Sequence, residues 1–272
     1  MVASNPRVLV TGGAGYIGSW VVNGLLSRGY AVTCLDRLLF GPESLDRFVG
    51  NPNLELITAD CRDRDVMRRA MSRSSTVMHL AGLVGDPACA VDETVSCDIN
   101  VRATETAAQL AREAGARFIF ASSCSVYGVS GEISDEQAHR APVSTYARNK
   151  CEAEDILNGM IDDRFGPVTL RFATIHGLSP RPRFDLVVNL FAALATRTGA
   201  ITVFGGDQWR PFVHCADVAD ALIAAVEAPE QLVCGETFNV GSDPENYRIR
   251  DLAELIAEEI PGTGVTLLRP GG

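Results

Sequence analysis

The fold of this 272-residue chain is decided by one stretch near its start, Val8-Leu9-Val10-Thr11-Gly12-Gly13-Ala14-Gly15-Tyr16-Ile17-Gly18. The apolar first part predicts a buried strand, and the glycines predict a tight turn that opens a helix. Apolar residues then recur at helical spacing, at Ile17, Val21, Val22, Leu25 and Leu26. A second apolar run, residues 32–35, ends at the carboxylate of Asp36. Strand, glycine turn, helix and strand in this order make one βαβ unit.

Each glycine of this turn meets a different physical need. Gly12 permits the sharp turn out of the strand, Gly15 leaves room for a pyrophosphate against the backbone, and Gly18 permits close packing of helix and strand. The free N–H groups at the start of the helix then face the phosphates. Asp36 lies 18 residues after Gly18, where a carboxylate can accept hydrogen bonds from a ribose. The unit therefore predicts a dinucleotide-binding site.

Composition and charge narrow the class of protein. The chain is 46% hydrophobic, which suits one large α/β domain or one with a smaller appendage, and its net charge of −10 argues against nucleic acid and anionic membranes as partners. No apolar run reaches 18 residues and residues 1–6 contain no apolar leader, so we expect a cytoplasmic protein. The eight cysteines are scattered without a Cys-x-x-Cys pair, which predicts reduced thiols and no metal site.

Strands and helices alternate along most of the chain. Further strands are predicted over residues 54–58, 76–80, 117–121 and 168–172, and helices over 63–72, 93–114 and 144–160. This rhythm predicts an α/β fold, a doubly wound parallel Rossmann sheet with a smaller α/β C-terminal lobe. We assign residues 1–173 to the dinucleotide-binding domain, with 211–241 returning to it, and 174–210 and 242–272 to a substrate-binding lobe. The lobe ends abruptly, so we expect a C-terminal piece beyond it.

The chemistry of the chain is indicated by Tyr146 and Lys150, which lie four residues apart on one predicted helix and therefore share a face. Lys150 is the only lysine among 24 basic residues, which indicates a position that needs a compact ammonium rather than a planar guanidinium. A nearby ammonium lowers the pKa of a phenol, so Tyr146 can exchange a proton with a substrate hydroxyl while a nicotinamide exchanges hydride with the carbon. Ser123, at the end of the preceding strand, can bond the same oxygen.

These motifs resemble the extended short-chain dehydrogenase/reductases, and within them the NAD-dependent epimerase/dehydratase family that acts on nucleotide sugars, of which UDP-galactose 4-epimerase is the best-known member. The residues that carry the resemblance span nearly the whole chain and are Gly12 to Gly18, Asp36, Asp60, His79-Leu80-Ala81-Gly82, Asn100, Ser122 to Gly128, Tyr146, Lys150, and Arg210 with Phe212-Val213-His214.

The resemblance implies NAD as cofactor, a nucleotide-diphosphate sugar as substrate with a UDP-sugar favoured, and a homodimer formed through the helices that hold Asn100 and Tyr146. The implied cofactor-binding residues are Gly12, Gly15, Tyr16, Ile17, Gly18, Asp36, Arg37, Asp60, Cys61, Leu80, Ala81, Gly82, Asn100, Ala121, Tyr146 and Lys150. Ser123, Tyr146 and Lys150 match the catalytic triad of the family. The implied substrate-binding residues are Ser123, Cys124, Ser125, Thr174, Arg183 and Arg210.

Several positions leave alternatives open. Asp36 favours NAD because a carboxylate repels the 2′-phosphate of NADP, whereas Arg37 is able to hold that phosphate. Arg181 and Arg183 either attract a diphosphate or solvate a turn. We expect a 4-epimerase that works through a transient 4-keto sugar. The triad serves a ketoreductase or dehydrogenase equally well. Position 84 slightly favours a ketoreductase or dehydrogenase, because it holds valine where 4-epimerases often carry lysine. A dehydratase would need the Cys124 thiol as its acid.

Overall fold

A computed structural model describes residues 6–129 and 133–268, and its centre is a seven-stranded parallel sheet. The strands of this sheet are β1 (Arg7–Thr11), β2 (Ala31–Asp36), β3 (Leu54–Thr58), β4 (Thr76–His79), β5 (Arg117–Ser123), β6 (Val168–Phe172) and β10 (Thr237–Val240). Their order across the sheet is β3-β2-β1-β4-β5-β6-β10. The order reverses between β1 and β4, which is the doubly wound arrangement with its crevice at that switch point. The predicted fold class is confirmed.

Helices cover both faces of this sheet because the side chains of a strand alternate between faces. Val8 and Val10 of β1 lie in one apolar core with helices α1 and α8, whereas Leu9 lies in a second core with α2, α5 and α6. These helices are α1 (Gly18–Ser27), α2 (Arg64–Met71), α5 (Ala103–Ala114), α6 (Thr145–Asn158) and α8 (Cys215–Glu227). Asp63, where the predicted helix over residues 63–72 starts, caps α2 by accepting from the N–H groups of Asp65 and Val66. The shorter helices are α3 (Asp86–Val91), α4 (Glu93–Cys97) and α9 (Glu230–Val233).

The C-terminal third adds a smaller α/β unit with its own apolar core. This unit contains α7 (Val187–Thr198), α10 (Ile249–Glu259), a three-stranded sheet in the order β11-β9-β7 and a parallel pair of β8 with β12. The strands are β7 (Thr174–His176), β8 (Ala200–Phe204), β9 (Trp209–His214), β11 (Asn246–Arg248) and β12 (Gly264–Leu268). The three-stranded sheet was not predicted, since two of its strands have three residues and the third contains Pro211. The proposed domain boundaries stay a prediction.

Within residues 6–129 and 133–268, none of the helices combines the length and apolar character that crossing a bilayer requires.

Candidate active site

A cleft of about 520 Å³ lies at the carboxyl ends of the central strands, at the switch point of the sheet. It brings together most of the residues that the sequence nominates. The predicted site residues that line it are Gly12, Gly15, Tyr16, Ile17, Gly18, Asp36, Arg37, Asp60, Cys61, Leu80, Ala81, Gly82, Ala121, Ser123, Ser125, Tyr146, Lys150, Thr174 and Arg183. Three others, Asn100, Cys124 and Arg210, are not among the lining residues.

The glycine turn forms one end of the cleft, and its shape excludes side chains. Gly12 has a φ of +74°, and a Cβ added there would lie 2.8 Å from the backbone nitrogen of Ala81. A Cβ on Gly18 would lie 2.6 Å from the Cα of Gly13. Helix α1 begins at Gly18 without a side-chain cap. The N–H groups of Ser19 and Trp20 donate to the carbonyls of Gly15 and Ile17, whereas those of Ile17 and Gly18 have no acceptor within residues 6–129 and 133–268. The turn therefore has the close backbone approach and the free donors that a pyrophosphate requires.

Asp36 is held in place at the end of β2. Its carboxylate accepts from the N–H groups of Ala14 at 3.1 Å and Leu38 at 2.8 Å, which fixes it beside the glycine turn. The next residue, Arg37, forms an ion pair with Asp60 at 3.4 Å. Arg62 donates to the same carboxylate and holds the pKa of Asp60 below its usual range. An arginine already paired with a carboxylate is a poor partner for a 2′-phosphate, so this end of the cleft fits NAD better than NADP.

Tyr146 and Lys150 reach the same cleft from helix α6. Ser144 starts this helix by accepting from the N–H of Ala147 at 3.2 Å, so Tyr146 falls in the first turn. Lys150 is buried, donates to the carbonyl of Ala121 at 2.7 Å and lies 5.7 Å from the centroid of the Tyr146 ring. Both side chains reach the cleft from one helical face, as the spacing predicts.

The electrostatics of this pair differ from the sequence expectation. Burial raises the pKa of Tyr146 to about 12, while the charge of Arg183 and a hydrogen bond with Ser123 act in the opposite direction. Burial also lowers the pKa of Lys150 to about 8. The sequence predicts that Lys150 lowers the pKa of Tyr146, whereas burial is the largest influence on this pKa and raises it, and Arg183 is the cation that lowers it.

Consecutive residues at the end of β5 lie beside the functional groups of α6. The carbonyl of Ala121 accepts from Lys150 and the hydroxyl of Ser122 donates to Glu154, while Ser123 lies close enough to Tyr146 to lower the pKa of its phenol. Tyr146, Lys150 and Glu154 follow one another at intervals of four residues, so they form a single stripe on the helix. Strand β5 therefore positions Lys150 and Glu154 through direct hydrogen bonds.

Glu154 belongs to a buried ionic cluster that the sequence analysis missed. Its side chain is 1% exposed and accepts from Arg171 at 2.7 Å and from Arg140 at 3.3 Å. Arg171 is 6% exposed and also donates to Tyr127 at 2.8 Å. The charge of Glu154 raises the pKa of Lys150 and so opposes the effect of burial. The signal was present, since Glu154 extends the Tyr146 and Lys150 stripe by one turn.

Asn100 supports the wall of the cleft from behind. Its amide donates to the carbonyl of Leu83 at 2.9 Å and accepts from the Leu83 N–H at 2.8 Å, which fixes the segment after β4. The predicted long helix over 93–114 is interrupted here by a π-helical turn, Asp98–Arg102, between α4 and α5. Such a turn is common at functional sites. Asn100 is thus a buried residue that positions the Leu83 backbone.

The predicted substrate-binding residues divide into two groups. Ser125, Thr174 and Arg183 line the cleft, and the buried Ser125 hydroxyl has no hydrogen-bond partner within the described residues. Cys124 does not line it, and burial raises the pKa of its thiol to about 11. Arg210 is exposed and donates to the carbonyl of its neighbour Trp209 at 3.0 Å.

Further lining residues were not predicted. They include Leu39, Phe40, Gly85, Asp86, Ile99, Phe172, Ile175 and Leu186. Most of them lie within a few residues of a predicted site residue along the chain, so the signal that could have found them is proximity to the strand ends.

Comparisons with known proteins agree with this site. Residues 8–241 match the NAD dependent epimerase/dehydratase family, which confirms the resemblance inferred from the motifs. UDP-glucuronic acid decarboxylase 1 of Arabidopsis thaliana is 30% identical over 97% of this chain, and the chain spans 60% of that enzyme's length. UDP-glucose 4-epimerase of Neisseria meningitidis serogroup C is 28% identical over 96% of the chain and 84% of the enzyme.

One solved structure shows a third activity on a similar fold. DesIV, a dTDP-glucose 4,6-dehydratase from Streptomyces venezuelae solved with NAD bound, superposes with a TM-score of 0.85 at 26% identity, over 97% of this chain and 84% of that chain. An epimerase, a decarboxylase and a dehydratase are therefore all similar to this chain. NAD is the cofactor of the matched family, and the turn, Asp36 and the paired Arg37 fit it.

Proposed function

Because the chain belongs to the NAD-dependent epimerase/dehydratase family, we propose that it is a nucleotide-diphosphate-sugar 4-epimerase that works through a transient 4-keto sugar. The observation that carries the proposal is the convergence of Ser123, Tyr146 and Lys150 on a cleft whose other end is the glycine turn. UDP-sugars are the favoured substrates, since UDP-sugar enzymes are among the relatives. The cytoplasmic location and the homodimer stay predictions.

The glycine turn, Asp36 and Lys150 would hold the cofactor. When bound, the cofactor would supply the hydride acceptor for C4 of the sugar in its oxidised form and the hydride donor in its reduced form, and the positive ring of the oxidised form would favour a nearby phenolate. The protein's own task is proton transfer at the sugar O4. Tyr146 takes this proton, directly or through Ser123, and returns it after the keto sugar has presented its other face.

The charges around Tyr146 make this proton transfer feasible. Burial alone keeps the phenol protonated at neutral pH, with a pKa of about 12. Lys150 lies 5.7 Å from the ring, and Arg183 is close enough to lower the Tyr146 pKa. Both cations favour the phenolate over the neutral phenol and so oppose the effect of burial during proton transfer. Lys150 also fixes the end of β5 through Ala121, and with it the position of Ser123.

A net ketoreductase or dehydrogenase is the principal alternative, because the same three residues serve it. Val84 lines the cleft where a lysine is common in 4-epimerases. The dehydratase alternative is weaker here, since the Cys124 thiol is outside the cleft lining and its raised pKa makes it a poor acid.

The proposal is tested by Tyr146→Phe, which removes the proton-transferring oxygen and keeps the ring. Turnover should fall by about 10²- to 10⁴-fold while the affinity for NAD+ changes little. Tyr30→Phe is the matched control, because Tyr30 packs against the core of α1 and α8 and does not line the cleft. Turnover by Tyr146→Phe within a few fold of the Tyr30→Phe protein would contradict the assignment of Tyr146.

A further inference from the structure

Residues 177–183 connect the smaller unit to the start of helix α1, and we call them the Ser179 segment. The Tyr16 hydroxyl donates to the carbonyl of Gly177 at 2.6 Å, and the Ser179 hydroxyl donates to the carbonyl of Tyr16 at 2.7 Å. Trp20 donates from its indole to the carbonyl of Leu178 at 3.1 Å. These bonds hold the segment against the helix end that faces the phosphate-binding turn.

The Ser179 segment carries Arg181 to the opposite wall of the cleft. The guanidinium carbon of Arg181 lies 3.7 Å from the centroid of the Phe40 ring, close enough for a cation–π contact. Phe40 belongs to the loop after β2, and its ring is otherwise exposed, with 71% of the residue's surface accessible. Both residues line the cleft. The contact therefore bridges the two walls near the end marked by Asp36.

The loop that presents Phe40 is built around Asp36. Leu38 adopts a φ of +55°, a left-handed conformation that is uncommon for a residue with a Cβ. Its N–H donates to Asp36 at 2.8 Å, and its carbonyl accepts from Gly41 at 3.0 Å. This tight turn brings Phe40 back over the cleft. The position of the ring is thus coupled to the carboxylate that the sequence assigns to the cofactor ribose.

Arg181 differs from the other two arginines of the cleft in having no carboxylate partner in the part of the chain that the structure describes. Arg37 pairs with Asp60, and Arg183 makes two hydrogen bonds to Asp185. Within residues 6–129 and 133–268, no carboxylate oxygen lies within 4.0 Å of the Arg181 guanidinium. Burial and the neighbouring charge of Arg183 lower the pKa of Arg181 from its ordinary value. Asp185 and Asp36 are near enough to act on its charge but make no direct ion pair with it. A partly buried cation with no carboxylate in direct contact, on the wall of a cleft that also holds the glycine turn, has the chemistry of an anion site.

We propose that Arg181 binds the pyrophosphate of the bound dinucleotide and that its contact with Phe40 is a clasp that slows release of the cofactor. A guanidinium suits this task because its planar face stacks on a ring while its edge donates to phosphate oxygens. The sugar nucleotide also carries a pyrophosphate. The cofactor is favoured as the ligand because the clasp is attached to helix α1 and to the Asp36 loop.

The clasp has a consequence for the reaction. A 4-epimerase regenerates its NAD+ in each turnover, so slow release costs it nothing, whereas a dehydrogenase or reductase must exchange cofactor every cycle. Arg181 and Phe40 would retain the cofactor in a chain that has valine at position 84, where 4-epimerases often carry lysine. The inference itself rests on NAD binding alone and stands apart from the identity of the sugar reaction.

The test is the rate at which the cofactor leaves the purified protein. The protein is loaded with a fluorescent NAD+ analogue and mixed in a stopped-flow instrument with a large excess of unlabelled NAD+, and the fluorescence change gives the release rate. Arg181→Ala should speed release by roughly tenfold to a hundredfold, as expected for loss of a hydrogen bond to a charged group. Phe40→Ala should speed it by less, and Arg181→Lys should retain part of the effect of the charge.

Arg47→Ala is the matched control. Arg47 stacks on Phe48 at 4.7 Å, so the variant removes the same kind of contact next to the cleft but outside its lining. Equal release rates for Arg181→Ala and Arg47→Ala would overturn the clasp. If Arg181→Ala leaves NAD+ release unchanged and instead raises the KM for the sugar nucleotide, the pyrophosphate it binds is that of the substrate. The release rates do not depend on which sugar is the substrate, so unchanged release overturns the clasp without bearing on the proposed epimerase activity.

Discussion

Replacing Glu154 by glutamine should destabilise the protein and disturb Lys150 at the same time. The substitution keeps the shape and one acceptor oxygen but removes the charge. Glu154 is 1% exposed and Arg171 is 6% exposed, so the guanidinium would be left as a buried charge without its counter-ion. Breaking a buried ion pair from one side costs about 3–5 kcal/mol of unfolding free energy. For a chain of this size that corresponds to a fall in Tm of about 6–20 °C.

The same substitution should change the pH dependence of turnover. Burial holds the pKa of Lys150 at about 8, and the charge of Glu154 is the largest influence that raises it. Without that charge the Lys150 pKa falls below 8, so the ammonium is lost at lower pH. The alkaline fall in kcat/KM should therefore begin at lower pH in the Glu154→Gln protein. A role limited to stability would lower Tm and leave the position of this limb unchanged.

Asp155→Asn is the control, because Asp155 is the next residue on the helix, is 60% exposed and pairs only with Arg140 among the described residues. It should melt within about 2 °C of the wild type, as expected for a surface ion pair. Adding Arg171→Met to Glu154→Gln should recover part of the lost stability, because the orphaned charge is then removed. A Tm for Glu154→Gln equal to that of Asp155→Asn would refute the reasoning.

Two further substitutions test the two ends of the cleft. Lys150→Met should abolish turnover yet raise Tm at pH 7. The Lys150 pKa of about 8 lies below the 10.5 of a free lysine, so burial of the ammonium destabilises the folded protein below pH 8, and this destabilisation disappears between pH 8 and 10.5. A lower Tm for Lys150→Met at pH 7 would contradict this reasoning. Gly18→Ala should lower NAD+ affinity at least tenfold in a titration, because the added Cβ would lie 2.6 Å from the Cα of Gly13. Gly159→Ala is the control and should bind NAD+ normally, because its added Cβ would lie 3.4 Å from the nearest atom.

The local features of the fold could be predicted from the sequence, because short-range rules determine them. The βαβ unit from Arg7 to Asp36 and the cap at Asp63 follow from glycine spacing and from residues that bond their own backbone. Tyr146 and Lys150 share a helical face for the same reason. The location of the cleft then follows from the order of the strands.

The remaining features depend on contacts between distant parts of the chain. The spacing places Glu154 on the stripe of Tyr146 and Lys150, but it does not identify Arg171 as the partner of Glu154 or show that the pair is buried, since charged residues on a helix are usually solvated. The contact of Arg181 with Phe40 joins residues 141 positions apart and needs the smaller unit to be folded. The raised pKa of Tyr146 has the same origin, because the extent of its burial depends on packing rather than on its spacing from Lys150.

The central claim is tested most directly by incubating the purified protein, without added cofactor, with UDP-glucose deuterated at C4 and in parallel with UDP-glucuronate and UDP-N-acetylglucosamine. Products are identified by NMR and absorbance is followed at 340 nm. The account predicts a sugar inverted at C4 that keeps its deuterium, with no net change in absorbance. Product that forms only with added NAD+ or NADH, matched one to one by a change at 340 nm, would contradict it and identify a dehydrogenase or reductase instead.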